Sequence, residues 1–305
     1  MVQASRIGQK LLVGSVVNPF RGTSCIAPVL YPYCSCLIRT LLESLKMSLP
    51  KSLDSWVRIH KRSARARFRL FCFGHAGSGP AFFHSWSDAF PEDIELCCIQ
   101  LPGREARIGE APFTRLRPII DTLGETLIPY LGIDFAFFGC SMGGLIGFEL
   151  ARHLRRRQMP SPAHLFIAGC PAPQLWPRRL PSHGLPDSAF LSKLRDLNGT
   201  PEAILDNSEL MQLLLRMLRA DLAVCETYVY LTDAPLDCPI SVYGGLRDLE
   251  VSADDLAAWR VHTTSAFKKN AFLGDHFFLQ GDRALVLRTL NQELSAALRR
   301  SLPSY

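Results

Sequence analysis

The feature that most constrains the fold is a regular alternation of short apolar runs with longer amphipathic stretches, which begins near residue 66. The apolar runs have the length of strands, and the stretches between them carry apolar residues at helical spacing. Buried parallel strands are apolar at nearly every position because helices cover both faces of their sheet. The pattern predicts an α/β protein with a mostly parallel central sheet flanked by helices. The predicted strands are 68–73, 95–101, 135–138, 164–168, 239–243 and 266–272, and the main predicted helices are 116–131, 145–154 and 284–298.

One long segment interrupts this alternation. Residues 171–232 contain no clear strand, but 187–194 and 207–228 have the pattern of helices. The second of these carries apolar residues around most of its circumference, which indicates contacts on more than one side. We expect a helical lid that covers the edge of the sheet. The alternative is an ordinary crossover connection with an unusually large core helix.

The N-terminal segment differs from the rest of the chain. No acidic residue occurs before Glu43, and no apolar period persists through residue 46. Residues 1–65 are therefore predicted to form an extension that is poorly ordered or not translated natively, ahead of a folded domain at 66–300. Translation that begins at Met47 is the favoured explanation, and a transit or weak export signal is the alternative.

Composition excludes several classes of protein. With 48% hydrophobic and 20% charged residues, the 305-residue chain resembles neither a disordered segment nor a coiled-coil rod. The net charge of +6 is modest and the basic clusters lack interleaved aromatic residues, which predicts no nucleic-acid partner. The basic run Arg155–Arg157 is interpreted as a solvated helix end, with docking of an acidic protein as the alternative.

Two further observations bear on where the protein works. No run of 18 apolar residues occurs without a charge, so no membrane-spanning helix is expected. Ten cysteines occur without C-x-x-C pairs or metal-binding spacing. This usage indicates a reducing compartment, and the sequence predicts a cytoplasmic protein.

A candidate nucleophile follows the predicted strand 135–138. The sequence Gly139-Cys140-Ser141-Met142-Gly143-Gly144 matches G-x-S-x-G and precedes an apolar helix, which is the strand, turn and helix context that this motif requires. Small residues at Gly139 and Gly143 let backbone approach backbone and lift the serine hydroxyl clear of the sheet. A phosphate-binding loop is disfavoured because the spacing differs and the P-loop lysine is missing. The pattern predicts Ser141 as the nucleophile.

A serine hydroxyl needs a histidine that takes its proton and a carboxylate that orients the histidine, in the chain order Ser, acid, His. His276 follows the last predicted strand, and Asp248 follows the strand 239–243, so both belong at the carboxyl edge of the sheet. Glu250 is the nearest rival for the acid. A histidine packed by its neighbours and a solvated loop aspartate are the plainer alternatives. The predicted triad is Ser141, Asp248 and His276.

The tetrahedral intermediate of acyl transfer also needs amide donors for its oxyanion. The glycine-rich loop 74–79 follows the first strong strand and offers the backbone N–H of Ala76. The residue after the nucleophile, Met142, offers the second N–H. A tight loop without a catalytic role is the alternative for 74–79. His75 is interpreted as a structural residue of this loop, since His276 has the chain position of the base.

With these motifs the sequence resembles the stand-alone type II thioesterases of the α/β-hydrolase family, which are associated with nonribosomal peptide and polyketide synthases. The resemblance covers about residues 66–300. It rests on the segments Phe71–Gly77, Leu101–Arg107, Gly139–Gly144, Gly199–Glu202, Leu218–Asp221, Tyr243–Gly245 with Asp248, Trp259, and Gly274–Phe278.

The resemblance implies an α/β-hydrolase fold, the triad already named, and a helical lid at about 171–232 that bounds an acyl channel. It also implies hydrolysis of acyl groups from the phosphopantetheine arm of acyl or peptidyl carrier domains, which clears misprimed or stalled synthases. The reaction needs no metal or tightly bound cofactor.

Two residues depart from the family pattern. Cys140 stands where the family usually has His, and Gly74 stands where it usually has Pro. Neither departure removes a member of the predicted triad.

The alternatives for function are an esterase or lipase that acts on free carboxylic esters, and a noncatalytic carrier-binding protein that kept the fold.

Overall fold

The computed structural model describes residues 55–177, 180–197, 199–200 and 202–301. Its centre is a seven-stranded sheet with the order β1-β3-β2-β4-β5-β6-β7. Strand β1 pairs antiparallel with β3, and every other neighbouring pair is parallel. This is the mostly parallel sheet that the sequence predicts. The strands are β1 Val57–Ile59, β2 Phe68–Phe73, β3 Ile94–Ile99, β4 Asp134–Cys140, β5 Leu165–Ala168, β6 Ile240–Gly245 and β7 Phe267–Phe272.

Helices occupy most of the connections between these strands. They are α1 Leu116–Thr126, α2 Met142–Arg156, α3 Asp187–Leu197, α4 Glu202–Leu205, α5 Ser208–Glu226, α6 Ala253–Ala257, α7 Phe278–Gly281 and α8 Arg283–Ser301. Short 3₁₀ helices lie at Pro80–Ala89, Glu105–Arg107, Ile128–Tyr130, Pro173–Leu175 and Ala258–His262. Among the described residues, no helix combines the length and apolar character needed to cross a bilayer.

The sheet buries both of its faces. On β2, Phe71 and Phe73 pack in a core with residues of α1 and α2, while Phe68, Leu70 and Cys72 pack on the opposite face with residues of α8. Successive side chains of a strand point to opposite faces, so a strand covered on both sides must be apolar at nearly every position. This is why the central strands read as unbroken apolar runs in the sequence.

Strand β1 was missed by the sequence analysis and lies within the segment predicted as an extension. Its three residues pair with Cys97–Ile99 of β3 at the edge of the sheet. A three-residue strand is too short to show the alternation by which strands are recognised in a sequence. The remainder of that segment, residues 1–54 with Met47, lies outside the described residues.

The segment between β5 and β6 contains no strand among its described residues, and its helices α3, α4 and α5 have an apolar core of their own. The first half of α5 contributes to this lid core, whereas Val224 and Cys225 near its end pack in the core of the sheet. Helix α5 therefore touches two separate cores, which explains the apolar residues around its circumference. The lid core consists of Phe190, Leu194, Ile204, Leu205, Met211, Leu214, Met217 and Leu218.

Candidate active site

Ser141 lies on the turn between β4 and α2, with φ of 50° and ψ of −115°. A positive φ is uncommon for a residue other than glycine, and such strain is typical of a nucleophile on this kind of turn. The residues two positions before and after it, Gly139 and Gly143, must be glycines. A Cβ on Gly139 would lie 2.2 Å from the carbonyl oxygen of Gly143, and a Cβ on Gly143 would lie 2.1 Å from the carbonyl oxygen of Phe73. The turn therefore forms only with the small residues that the motif supplies.

The residue before the serine, Cys140, is buried and packs in the core on the α8 side of the sheet. Burial raises the pKa of its thiol to about 12, and the negative charge of Asp248 adds to the effect. A thiol is nucleophilic only as the thiolate. This shift favours the protonated thiol at neutral pH and so disfavours Cys140 as a nucleophile.

His276 and Asp248 meet Ser141 at the carboxyl edge of the sheet. The Nε2 atom of His276 lies 3.4 Å from Oγ of Ser141, and its Nδ1 atom lies 2.9 Å from Oδ2 of Asp248. The side chain of Asp248 is fully buried, and its Oδ1 atom accepts hydrogen bonds from the amides of Glu250 and Val251 at 2.8 and 3.0 Å. One carboxylate oxygen is thus fixed by the backbone while the other faces the imidazole.

The loops that carry the acid and the histidine are joined directly. The amide of Arg247 donates to the carbonyl oxygen of Gly274 at 2.8 Å. A Cβ on Gly245 would lie 2.2 Å from the carbonyl oxygen of Asp275, so glycine is required where the two loops approach. This contact holds the loop after β6 against the loop after β7. The amide of Glu250, the rival acid, donates to Oδ1 of Asp248.

The glycine-rich loop 74–79 runs beside Ser141. The amide of Gly77 donates to Oδ2 of Asp221, and the amide of Ser78 donates to the carbonyl oxygen of His75. Ala76 lines the cavity that contains Ser141. Met142 is the first residue of α2, where an amide has no acceptor within the helix. The amides of Ala76 and Met142 stay the predicted oxyanion donors.

His75 lies close to the site but differs from His276 in its environment. Its Nδ1 atom donates to the carbonyl oxygen of Ala76 at 2.8 Å, and its ring packs edge-on against Phe82 and Phe277. Burial lowers its pKa to about 4. A neutral, fixed imidazole of this kind supports the loop, which agrees with the structural role predicted for it.

An apolar cavity of about 210 Å³ leads to Ser141 and His276. One wall is a stripe on α5 formed by Leu218, Leu222 and Cys225, which lie on one face of the helix because they are three or four residues apart. Helix α3 contributes Leu194 and Leu197, and it also contributes Lys193. The cavity suits an acyl chain, because most of its lining is apolar.

The end of α5 fastens a loop of the lid over this cavity. Glu226 accepts hydrogen bonds from the amides of Ser182 and His183 at 2.9 and 3.0 Å and from both of their side chains. Burial by itself would raise the pKa of Glu226, but these hydrogen bonds outweigh it and lower that pKa. The charged form of Glu226 therefore holds the lid loop in place.

The sequence analysis missed the roles of several residues around the site. Lys193 and Glu226 line the cavity, but neither carries a motif that marks it. Arg104 and Asp221 belong to segments that carry the family resemblance, yet nothing in the sequence indicated that they pair with each other. They are 117 positions apart, and only the folded chain brings them into contact.

The chain is similar in sequence and in structure to proteins that are already known. The family model described as "Thioesterase domain" matches residues 68–294. The gramicidin S biosynthesis protein GrsT of Aneurinibacillus migulanus is 42% identical over 252 residues, which is 83% of this chain and 98% of that protein.

Solved structures of thioesterases share the fold. RedJ, a thioesterase from the prodiginine biosynthetic pathway in Streptomyces coelicolor, matches with a TM-score of 0.72 and 35% identity, covering 76% of this chain and 88% of RedJ. BorB, a type II thioesterase from the borrelidin biosynthetic cluster, matches with a TM-score of 0.73 and 30% identity, covering 80% of this chain and all of BorB.

Proposed function

The chain belongs to the thioesterase domain family of hydrolases that act on thioester bonds, and we propose that it releases acyl groups from the phosphopantetheine arm of carrier proteins. The observation that carries the proposal is the pair of contacts from Ser141 to His276 at 3.4 Å and from His276 to Asp248 at 2.9 Å. Ser141 and His276 line an apolar cavity. The likeness to a gramicidin S biosynthesis protein and to a borrelidin-cluster thioesterase supports a place in nonribosomal peptide or polyketide biosynthesis.

The first half of the proposed reaction transfers the acyl group to the enzyme. His276, oriented by Asp248, takes the proton of Ser141 as the hydroxyl oxygen attacks the thioester carbonyl carbon. The carbonyl oxygen becomes an oxyanion that the amides of Ala76 and Met142 bind. The intermediate collapses with breakage of the carbon–sulfur bond, and the pantetheine sulfur leaves with the proton that His276 returns.

The second half regenerates the enzyme. His276 takes a proton from a water molecule, whose oxygen attacks the carbonyl carbon of the acyl-serine. The same two amides hold the second oxyanion, and the bond to Ser141 breaks as His276 returns the proton to its oxygen. Each step uses only these side chains, amides and water, so the proposal includes no metal and no cofactor.

The proposed partner is an acyl or peptidyl carrier domain that delivers its arm to the cavity. An apolar cavity recognises the acyl chain through burial rather than through many polar contacts. Such a site accepts several short or wrong acyl groups, which suits an editing enzyme that clears misprimed or stalled synthases. The exposed, polar part of the arm and its carrier would remain outside the lid.

We also propose the extent of the catalytic domain and the compartment in which it works. The domain spans about 66–300, with a lid at about 171–232 and with β1 added at the edge of its sheet; the family match at 68–294 supports these bounds. The seven cysteines among the described residues are free thiols and all are buried. This state supports a reducing compartment, and we place the activity in the cytoplasm.

The test compares three substrates with the same acyl group: the acyl thioester of a carrier domain, the acyl thioester of N-acetylcysteamine, and the ethyl ester. The proposal predicts the largest kcat/KM for the carrier thioester and no turnover in Ser141→Ala. A higher kcat/KM for the ethyl ester would favour an esterase or lipase instead. Absence of turnover together with failure of a fluorophosphonate to label Ser141 would indicate a noncatalytic carrier-binding protein.

A further inference from the structure

A buried ion pair joins the lid to the loop that follows β3. Arg104, which follows β3, donates through both terminal nitrogens to the two carboxylate oxygens of Asp221 on α5, at 2.9 and 2.7 Å. The two side chains are 4% and 2% exposed. A two-point contact between guanidinium and carboxylate fixes the relative orientation of its partners as well as their distance. It is therefore a rigid link between the loop after β3 and the lid.

The same two side chains also form hydrogen bonds with the backbone of the loop 74–79. Oδ2 of Asp221 accepts a hydrogen bond from the amide of Gly77 at 2.7 Å, and the guanidinium of Arg104 donates to the carbonyl oxygen of Ser78 at 2.9 Å. The two bonds act on consecutive residues of the loop, one on a donor and one on an acceptor. They fix the peptide between Ala76 and Gly77 and the peptide that follows Ser78.

A third contact comes from the same face of α5. Leu218 lies three residues before Asp221, and a Cβ on Gly77 would be only 2.7 Å from its Cδ2 atom. Gly77 has φ of +84°, a conformation that favours glycine. The loop therefore bends tightly against α5, and one turn of the lid helix contacts it through both a hydrocarbon side chain and a carboxylate.

We propose that Asp221 and Arg104 are positioning residues for the oxyanion site, through which the lid helix α5 sets the orientation of the Ala76 amide. This inference rests on the proposed function, because it takes the Ala76 amide as a donor to the oxyanion. A displacement of about 1 Å in a positioned group can lower the rate by about 10²-fold. Small movements of α5 would therefore change catalysis without altering Ser141, His276 or Asp248.

The decisive variant is Asp221→Asn. Asparagine has nearly the same shape but only one acceptor oxygen, so its NH₂ group must face a donor of either Gly77 or Arg104. The inference predicts a loss in kcat of about 10²-fold with KM changed by less than about threefold, since the contact matters in the transition state. Arg104→Lys serves as the second variant. Lysine keeps the charge, but its single ammonium group cannot bind the two carboxylate oxygens of Asp221 and the carbonyl oxygen of Ser78 in a fixed planar geometry.

The affinity for a boronic acid with a short alkyl chain reports on the oxyanion site, and a loss of thermal stability alone would not change it. The oxygen of Ser141 adds to boron, His276 takes the proton, and one boronate oxygen occupies the position of the oxyanion. The inference predicts that Asp221→Asn weakens this inhibitor by the same factor as it lowers kcat/KM. A loss of kcat with unchanged boronic acid affinity would overturn it.

The matched control is Glu95→Gln. Glu95 is a buried carboxylate paired with Arg69 at 3.0 Å. The two residues lie near the amino ends of β3 and β2, whereas the loop 74–79 follows the carboxyl end of β2. We expect this variant to lose thermal stability, as Asp221→Asn does, but to keep the kcat of the wild type. An equal loss of kcat in both variants would mean that destabilisation alone explains the effect.

A double variant distinguishes the loss of the contacts to the loop 74–79 from the cost of leaving one buried charge unpaired. Arg104→Met combined with Asp221→Leu removes both charges, and such a replacement of a buried pair is often tolerated. The loop then has no partner for the Gly77 amide or the Ser78 carbonyl, so we expect a folded protein whose kcat stays low. Recovery of the wild-type kcat would overturn the inference.

If the wild type itself lacks thioesterase activity, the proposed function fails. If the wild type is active and Asp221→Asn has the same kcat, only this inference fails.

Discussion

Cys140 and Ser141 are neighbours in the chain, but their side chains lie on different sides of one backbone turn. The thiol of Cys140 is 5% exposed and packs in the core on the α8 side of the sheet, whereas the hydroxyl of Ser141 opens into the cavity, 3.4 Å from Nε2 of His276. Burial also raises the pKa of the thiol to about 12. The two candidate nucleophiles thus differ in access, in ionisation and in their distance from a base.

The first prediction follows from this difference. Ser141→Ala should lower kcat by about 10⁴-fold or more, because no other side chain can form the acyl intermediate. Cys140→Ala should keep kcat within about tenfold of the wild type and should lower the free energy of unfolding by about 1 kcal/mol, since it removes one buried sulfur. Steady-state hydrolysis of an acyl thioester and urea unfolding measure the two effects. The reverse pattern of activities would assign the attack to the thiol.

The second prediction concerns the acid. Asp248→Asn should lower kcat by about 10⁴-fold, because an asparagine in this position can stabilise the wrong tautomer of the histidine. Its side-chain oxygen can still accept the amides of Glu250 and Val251, so the loop should keep its shape. Asp254→Asn is the control and should retain the wild-type rate, because Asp254 is an exposed residue in the first turn of α6. Similar rates for the two variants would remove Asp248 from the mechanism.

The third prediction uses two glycines of one helix. In Gly143→Ala the new methyl group would lie 2.1 Å from the carbonyl oxygen of Phe73, so the end of β2 must move, and we expect a loss of at least about 1 kcal/mol in stability together with most of the activity. In Gly147→Ala the nearest atom is 3.6 Å away, an ordinary contact. This control should gain about 0.5–1 kcal/mol from helix propensity. Thermal unfolding and thioester hydrolysis of the two proteins compare them directly, and equal behaviour would contradict the close approach at the turn.

The fourth prediction is a pH dependence of stability. Burial, with a smaller effect of the nearby charge of Arg152, lowers the pKa of His262 from 6.5 to about 4. The unfolded chain therefore binds a proton at this residue between pH 6.5 and about 4 that the folded chain does not, and folding stability decreases as the pH falls through that window. The loss is at most about 3 kcal/mol. Urea unfolding of His262→Asn should show a shallower decline over this window than the wild type, and an unchanged slope would show that His262 is protonated in the folded state.

The sequence predicted those parts of the structure that depend on local pattern and on topology. The five central strands β2–β6 are apolar because they are buried on both faces, and Asp248 and His276 could be located because the carboxyl ends of parallel strands lie along one edge. The motif around Ser141 has its own steric reason, which the contacts of Gly139 and Gly143 bear out. In each case a short stretch of sequence determines the local geometry.

Other features depend on contacts that no local pattern encodes. Strand β1 has three residues at a sheet edge, which is too few to establish a period. The pairing of Arg104 with Asp221 joins the loop after β3 to a lid helix, and in the sequence each of the two is an ordinary charged residue. The position of Lys193 in the cavity depends on how α3 packs on α5 within the lid core. Packing between distant segments decides all three.

The most direct test of the central claim is the intact mass of an acylated carrier domain during incubation with the enzyme. The account predicts that wild-type protein returns the carrier to the mass of its free phosphopantetheine form, and that the carrier keeps its acyl group when Ser141→Ala is used. Stoichiometric wild-type enzyme, quenched early, should carry the acyl mass on the peptide that contains Ser141. A carrier that stays acylated with the wild type, or loses its acyl group equally with Ser141→Ala, would contradict the account.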